Sequence, residues 1–238
     1  MNNLPPEVTI LGPDPGFLWR VGDEIHFAGQ AFDPETGPLP ASQLSWQIVM
    51  LHCNLEQPDD CHEHQMLAVS GVSDGQFTAI DHEYPCRILI RLTATEPGEQ
   101  GLSETSTVTL EPELTILRLE SQPSGLQLGA FAETSTTPFE RYFIVNGMTV
   151  VTAASPQILG GQTYQFLNWS DGGLAAHSVI AGTDPIVLIA NFSLVPQNNQ
   201  GPSLEPIGDK TAVVMESLEF LITATDPDGT VPALSAEG

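Results

Sequence analysis

The chain is poor in positive charge. Of its 238 residues only 6 are Lys or Arg, against 30 Asp and Glu, which gives a formal net charge of −24. Binding to nucleic acid or to an anionic lipid surface requires clustered Lys and Arg that displace counterions. The sequence contains no such cluster, so we expect no nucleic-acid partner. The many carboxylates are typical of a solvated, salt-tolerant surface and can also bind divalent cations.

Long apolar stretches are also absent. None approaches the ~20 residues that a helix needs to span a bilayer, so no membrane-spanning segment is predicted. The first residues, MNNLPPEV, have neither the basic nor the apolar region of an export signal. Because the chain stops soon after the turn sequence TDPDG, where a further strand is expected, we interpret it as a piece of a longer protein.

Short strand-like runs fill the chain instead. Its 20 prolines and 21 glycines separate segments rich in Val, Ile, Thr and Phe. In RILIRLTAT, apolar residues recur at every second position from Ile88, and a period of two is typical of a half-buried strand. Several such runs before residue 112 predict an antiparallel sandwich of the immunoglobulin or PKD type, with Trp46 in its core.

The strand pattern restarts near Glu113 and continues to the polar, proline-bounded linker PQNNQGP. We therefore predict an all-β chain with an immunoglobulin- or PKD-like sandwich at 1–112 and a second, smaller β-domain at 113–195. Residues 196–238 are interpreted as a linker and the incomplete start of a third, cadherin-like repeat. Its two expected strands are too few to bury a core alone.

Two cysteines and three histidines lie within one stretch of fifteen residues, LHCNLEQPDDCHEHQ. Seven residues separate Cys53 from Cys61, whereas the cysteines of zinc sites are usually two to four residues apart. In an exported protein this spacing favours a disulfide that closes a loop between two strands. The remaining cysteine, Cys86, is expected to be a small buried apolar residue.

The histidines of this stretch predict a metal site. His52, His62 and His64, together with His82 further on, are expected to converge at one end of the sandwich. Imidazoles two residues apart on a strand, with a third from a neighbouring strand, suit Zn or Cu. The alternative is that the rings pack around the disulfide and hydrogen-bond the loop. If a metal binds, it is either structural or catalytic, and catalysis would require an open coordination position and a base.

Two similar turns suggest calcium. Asp33 with Glu35, and Asp226 with Asp228, each occur where a strand runs into Asp-Pro, an acid and Gly. Proline, Asp and Gly at these positions are explained by turn geometry alone. The alternative is that each pair of carboxylates chelates calcium between modules.

The sequence WSDGG contains a candidate ligand-binding pair, Trp169 and Asp171. In one interpretation, Trp169 packs in the core and Asp171 caps the tight turn. In the other, an exposed Trp169 stacks on the apolar face of a sugar ring. Trp19 and Tyr84 are further aromatic candidates for such a platform.

The first 195 residues resemble the region that follows the catalytic propeller in some secreted bacterial PQQ-dependent glucose/sorbosone-type dehydrogenases. The stretches that carry this resemblance are WRVGDEIHFAGQAFDPETGPLPASQLSW, LHC…CHEH, DHEYPCRILIRLTATEPGEQGLSET, SPQILGGQTYQFLNWSDGG and IANFSLV. The tail, through ATDPDG, resembles the start of a cadherin-like or PKD-like repeat. No propeller or quinone-binding segment is present, so the resemblance implies an accessory region and not dehydrogenase activity.

We therefore expect a non-catalytic accessory module of an exported bacterial protein, secreted or held at the cell surface. Its role would be spacing, adhesion or carbohydrate attachment, with a carbohydrate or cell-surface partner and neighbouring domains joined covalently in the parent protein. If a metal is bound, Zn, Cu or Ca is expected; otherwise no cofactor is expected. The alternative is a metal-dependent hydrolase or oxidoreductase that uses His52, His62, His64 and His82.

Overall fold

The computed structural model describes residues 3–54, 60–98, 101–196, 201–214 and 217–227. Within these ranges the regular structure is β-strand, with one short 3-10 turn and no α-helix. The predicted all-β fold is confirmed. None of the described residues belongs to a helix with the length and hydrophobicity that crossing a membrane requires.

The first half of the chain forms two antiparallel sheets that face each other across one core. One sheet has the order β1-β2-β3, with β6 also paired to β2, and the other has the order β5-β4-β7-β8. The strands are β1 (Glu7–Gly12), β2 (Glu24–Asp33), β3 (Gly37–Pro38), β4 (Leu44–Cys53), β5 (Cys61–Ser70), β6 (Asp74–Thr78), β7 (Cys86–Thr95) and β8 (Ser103–Leu110).

The second half forms a five-stranded sheet, β12-β9-β17-β15-β14, and a four-stranded sheet, β11-β10-β13-β16. Strands β9 and β17 pair in parallel, and the other pairs in these two sheets are antiparallel. The strands are β9 (Leu114–Gln122), β10 (Gln127–Ala130), β11 (Glu133–Thr136), β12 (Phe139–Ile144), β13 (Met148–Thr152), β14 (Gln157–Leu159), β15 (Gln162–Trp169), β16 (Ala176–Ile180) and β17 (Ile186–Leu194).

Alternation along the central strands builds the first core. On β7, Ile88, Ile90 and Leu92 are fully buried, while the residues between them are half-buried. Trp46 on β4 is 2% exposed and its ring centroid lies 4.7 Å from that of Phe27. Trp46 is therefore the core tryptophan that the strand pattern predicts, and β4 and β7 form the centre of their sheet.

The two halves meet at a seam around Trp19. Its buried indole donates a hydrogen bond to the Leu110 carbonyl at 3.2 Å, and its backbone bonds to both Glu111 and Glu113. Ile144, from β12, is part of the first core. Residues 1–194 accordingly form one compact unit, and its division into two domains at residue 112 stays a prediction.

Residues 195–238 form a second compact unit. In its described part, two short strands pair antiparallel, β18 (Ser203–Leu204) and β19 (Ala224–Thr225). Large apolar side chains remain exposed there, with Val214 at 90% and Leu221 at 88% exposure. The described part of this unit therefore does not bury its own apolar residues.

We predict that Ile48→Ala lowers the free energy of unfolding by about 2–5 kcal/mol, because it leaves a cavity between tightly packed strands. Ile48 is fully buried on β4, opposite Leu67 and Ile90. The measurement is equilibrium denaturation followed by tryptophan fluorescence. The control, Glu104→Ala at an exposed position near the start of β8, should change stability by less than about 0.5 kcal/mol. Equal losses in the two variants would contradict the assigned core.

Candidate metal centre

The pairing of β4 with β5 brings together the two cysteines and the histidines of the LHCNLEQPDDCHEHQ stretch. Cys53 lies directly opposite Cys61, and His52 directly opposite His62. The predicted disulfide is confirmed, with Sγ atoms 2.05 Å apart. Because directly opposite residues point to the same face of a sheet, and residues two apart on a strand share a face, His64 joins the same side.

This face is the one that carries the core. Trp46, Ile48 and Met50 alternate along β4 and are buried, and His52 is the next residue in that row. His64 lies opposite Met50 on the edge strand β5 and is exposed. The histidines therefore continue the core row past its last buried apolar side chain, where solvent and metal ions have access.

The fourth histidine comes from the segment at 79–85, between β6 and β7. The ring centroid of His82 lies 4.5 Å from that of His52 and 5.1 Å from that of His64. His62 is 5.1 Å from His52 and 4.6 Å from His64, again between ring centroids. The four imidazoles thus form one cluster, contributed by β4, β5 and the 79–85 segment.

The nitrogens of the histidine cluster are slightly farther apart than the ligands of a bound metal ion. His52, His64 and His82 each offer a ring nitrogen, and these three nitrogens all lie within 4.8 Å of one another. On a tetrahedral zinc, with Zn–N bonds of about 2.0–2.1 Å, ligand nitrogens lie about 3.4 Å apart. Inward movements of about an ångström, within reach of side-chain rotation, would complete the geometry.

Burial and charge favour the neutral imidazole at the centre of the cluster. Burial lowers the pKa of His52, and positive charge on the neighbouring His82, His62 and His64 rings lowers it further. Neutral imidazole is the form that binds metal ions.

Cys86 lies opposite His52 on β7 and is not a candidate ligand. Burial, followed by nearby carboxylates, raises the pKa of its thiol to about 12. It remains a protonated thiol at neutral pH, not a thiolate ligand.

The 79–85 segment also contacts the second half of the unit. Asp81 Oδ2 accepts a hydrogen bond from the Met148 backbone at 2.8 Å. The ring of Tyr84 meets that of Tyr142, on β12, edge to face at 5.3 Å between centroids. The segment that contains His82 therefore contacts the second half on both sides of the histidine, through Asp81 and Tyr84.

Two grooves border the histidine cluster. The larger has a volume of about 810 Å³ and runs between His52 and His62 on one side and β12 on the other. The smaller, of about 550 Å³, lies against His82 and β13. Glu83 lines both grooves. The larger groove is also lined by Asn54, Asp60, Tyr84, Phe131, Glu133, Glu140, Arg141 and Tyr142.

Of the four calcium candidates, Asp33 and Glu35 lie in one turn of the first compact unit. Asp33 is 2% exposed, and its Oδ1 accepts backbone hydrogen bonds from Glu35 and Thr36. Burial alone would raise the pKa of Asp33, but hydrogen bonds from the Thr36 side chain and from the Thr36 and Glu35 backbones, together with the nearby Glu96 carboxyl group, hold it below its ordinary value. Asp33 thus caps its turn. Asp226 belongs to the second compact unit, and Asp228 lies outside the described residues.

Trp169 is 2% exposed and belongs to the second core, next to Phe166 and His177. The sugar platform proposed for Trp169 is therefore wrong, because no face of the ring is open to stacking. Asp171 Oδ1 accepts the Gly173 backbone N–H at 3.0 Å, and its Oδ2 lies 2.9 Å from His177 Nε2. His177, on β16, is thereby paired to this turn.

No protein-family model and no curated protein matches the chain. The resemblance to the accessory region of sugar dehydrogenases therefore rests on the sequence motifs alone. The sequence pattern does not predict Tyr142 and Arg141 near the histidines, because these residues belong to β12 and approach the cluster only through the packing of the two halves. The alternation in FERYFI was the one available signal, since it places Tyr142 on the exposed face of the strand.

We predict that Asp171→Asn lowers stability near neutral pH by less than about 1 kcal/mol, because the pair is partly exposed. Burial acts to raise the pKa of Asp171, yet hydrogen bonds from Gly173 and His177 hold it below its ordinary value of 3.8. This stabilisation is therefore present above pH 3.8 and is lost as the pH falls through the lower folded-state pKa. Thermal melts of both proteins between pH 7 and pH 2 should converge in acid; a constant difference would contradict the assigned pairing.

Proposed function

We propose that the chain is a non-catalytic accessory module of an exported bacterial protein, in which the histidine cluster holds one structural Zn or Cu ion. The observation that carries this proposal is the convergence of His52, His64 and His82, whose ligand nitrogens lie within 4.8 Å of one another. Nitrogen donors of this kind suit Zn and Cu better than Ca or Mg. The Cys53–Cys61 disulfide supports an oxidising, extracytoplasmic location.

His62 supports a structural role over a catalytic one. Structural zinc sites are closed by four protein ligands, whereas catalytic sites keep one position for water or substrate. The His62 ring lies 4.6 Å from that of His64 and 5.1 Å from that of His52, between centroids. His62 is not among the three histidines whose nitrogens already converge, but its ring adjoins theirs, and we propose that it rotates to supply the fourth nitrogen and to exclude water from the metal.

The metal would act as a cross-link. It would join the tied β4–β5 hairpin to His82, and the segment that carries His82 is bonded to the second half through Asp81 and Tyr84. Fixing this segment would hold the two halves at a constant spacing. This is the property that a spacer needs if it is to present a catalytic or adhesive neighbour at a set distance.

The larger groove is the place where we propose carbohydrate attachment. Tyr142 is 56% exposed at its wall and meets Tyr84 edge to face, so one aromatic surface is open to solvent. Apolar faces of sugar rings pack on such aromatic surfaces. Arg141 and the carboxylates of Glu83 and Glu140 line the same groove and can hydrogen-bond sugar hydroxyls.

A metal-dependent hydrolase or oxidoreductase is the second candidate, and one observation favours it. The cluster borders a groove of about 810 Å³ that Glu83 also lines. If only His52, His64 and His82 bound the metal, the fourth position would be open to a water molecule, with Glu83 as the base. The ligand count therefore distinguishes a structural from a catalytic centre.

We predict that the purified chain, stripped by chelation, binds one Zn or Cu ion and that binding raises its melting temperature, because the ion binds the folded state alone. His64→Ala and His82→Ala should each weaken binding at least tenfold. The measurements are equilibrium dialysis with metal analysis, and thermal melts. His26→Ala is the matched control, since His26 lies on β2 with its side chain 71% exposed and outside the cluster.

His62→Ala separates the two candidate functions. In a structural site with four ligands it should weaken metal binding by a factor similar to that of His64→Ala. A His62→Ala variant that keeps full affinity, in a metal-loaded protein that hydrolyses or oxidises a test substrate, would favour the enzyme. Absence of binding in the wild type, or an equal loss in His26→Ala, would contradict the metal centre itself.

We predict that Tyr142→Ala removes binding to polysaccharides, because it deletes the exposed aromatic face of the groove. The measurement is retention on an array of immobilised neutral and acidic polysaccharides, with a loss of at least tenfold expected. Ile158→Ala, which removes a 77% exposed apolar residue from the edge strand β14, is the control. Absence of retention of the wild type on the whole array would contradict carbohydrate attachment and leave the spacer role.

A further inference from the structure

A buried carboxylate lies at the opposite end of β7 from the histidines. Glu96 directly follows β7, whose first residue, Cys86, pairs with His52. The glutamate is 8% exposed. Its Oε2 accepts hydrogen bonds from Asn3 Nδ2 at 2.6 Å and from the Leu102 backbone at 3.1 Å. Its Oε1 is buried and has no hydrogen-bond partner among the described residues.

A second buried carboxylate adjoins the first. Asp33 ends β2, in the facing sheet, and is 2% exposed. Its carboxyl group lies within hydrogen-bonding reach of that of Glu96. Both groups are acceptors when ionised, so neither can satisfy the other. The unpartnered oxygen of Glu96 therefore belongs to a pair of acids brought together from two sheets.

The described protein supplies no cation to this pair. No ion pair among the described residues includes Asp33 or Glu96. Two adjoining buried carboxylates cannot both remain charged without compensation, because desolvation and mutual repulsion both oppose it. A cation bound between them would offset both effects.

We propose that Asp33, Glu96 and Asn3 form a binding site for one calcium ion at this end of the first sandwich. The ligands would be oxygens, from the two carboxylates and, once the Asn3 amide turns to present Oδ1 in place of Nδ2, from a carboxamide. Oxygen is the ligand atom that hard divalent cations prefer. Calcium accepts six to eight oxygens in flexible geometry and fills the remainder with water, whereas magnesium demands a near-ideal octahedron. The chain has 30 acidic and 6 basic residues, and this negative charge also raises the local concentration of divalent cations.

The site differs from the calcium site that the turn sequence suggested. The exposed Glu35 follows Asp33 in the turn and donates its backbone N–H to Asp33 Oδ1. The second buried acid comes instead from the end of β7. Because Asn3 precedes β1, a bound ion would also join the start of the chain to both sheets of the sandwich.

The test is isothermal titration of CaCl2 into the chelator-treated full chain, with thermal melts in EGTA and in CaCl2. We expect one calcium ion per chain and a rise in melting temperature of about 5 °C. Glu96→Gln should weaken calcium binding at least tenfold and remove the rise, because it keeps the shape of the side chain but not its charge. Glu24→Gln, at the opposite end of β2 from Asp33 and with its side chain 57% exposed, is the matched control and should behave as the wild type.

Asn3→Ala provides a variant outside both sheets that cannot disrupt the sandwich, and it should weaken calcium binding about threefold. His64→Ala should keep the full calcium response, which separates this site from the histidine cluster. Unchanged binding in Glu96→Gln would overturn the proposal. So would a wild type whose melting temperature and titration heat do not respond to calcium.

Discussion

The histidine cluster depends on the register between β4 and β5. With Cys53 opposite Cys61, the next pair is His52 with His62, and His64 then lies across from Met50. A slip of one residue would turn the β5 histidines to the other face of the sheet, away from His82. The disulfide joins the two strands at the loop end of the hairpin, directly beside the histidine pair, and so fixes their register there. The tied loop and the convergent imidazoles are thus two parts of one arrangement.

The sequence predicts the fold well wherever alternation is unbroken. Ile88, Ile90 and Leu92 are buried as the period of two requires, and Trp46 lies in the core. The pattern could not place Trp169, because the pairing of β15 with β17 shifts register between Phe166 and Asn168. An irregularity of this kind interrupts the two-residue period, so residues beyond it cannot be assigned to a face by counting from those before it.

The candidate sites were predicted less completely than the strands. His62 and His64 share a face because they are two residues apart, and this much follows from local geometry. The approach of His82 to them depends on the path of the 79–85 segment, which no periodic pattern encodes. For the same reason the sequence suggests Glu35 as the partner of Asp33, its neighbour in the chain, whereas the structure provides Glu96 from the facing sheet.

The seam at Trp19 has a consequence for a protein that is anchored at one end and pulled at the other. The indole is fully buried, its backbone bonds to Glu111 and Glu113, and Ile144 reaches across from β12 into the first core. The halves cannot swing apart without exposing both side chains to water and breaking those bonds together. A pulling force applied across this unit would therefore load both halves together before the seam opened.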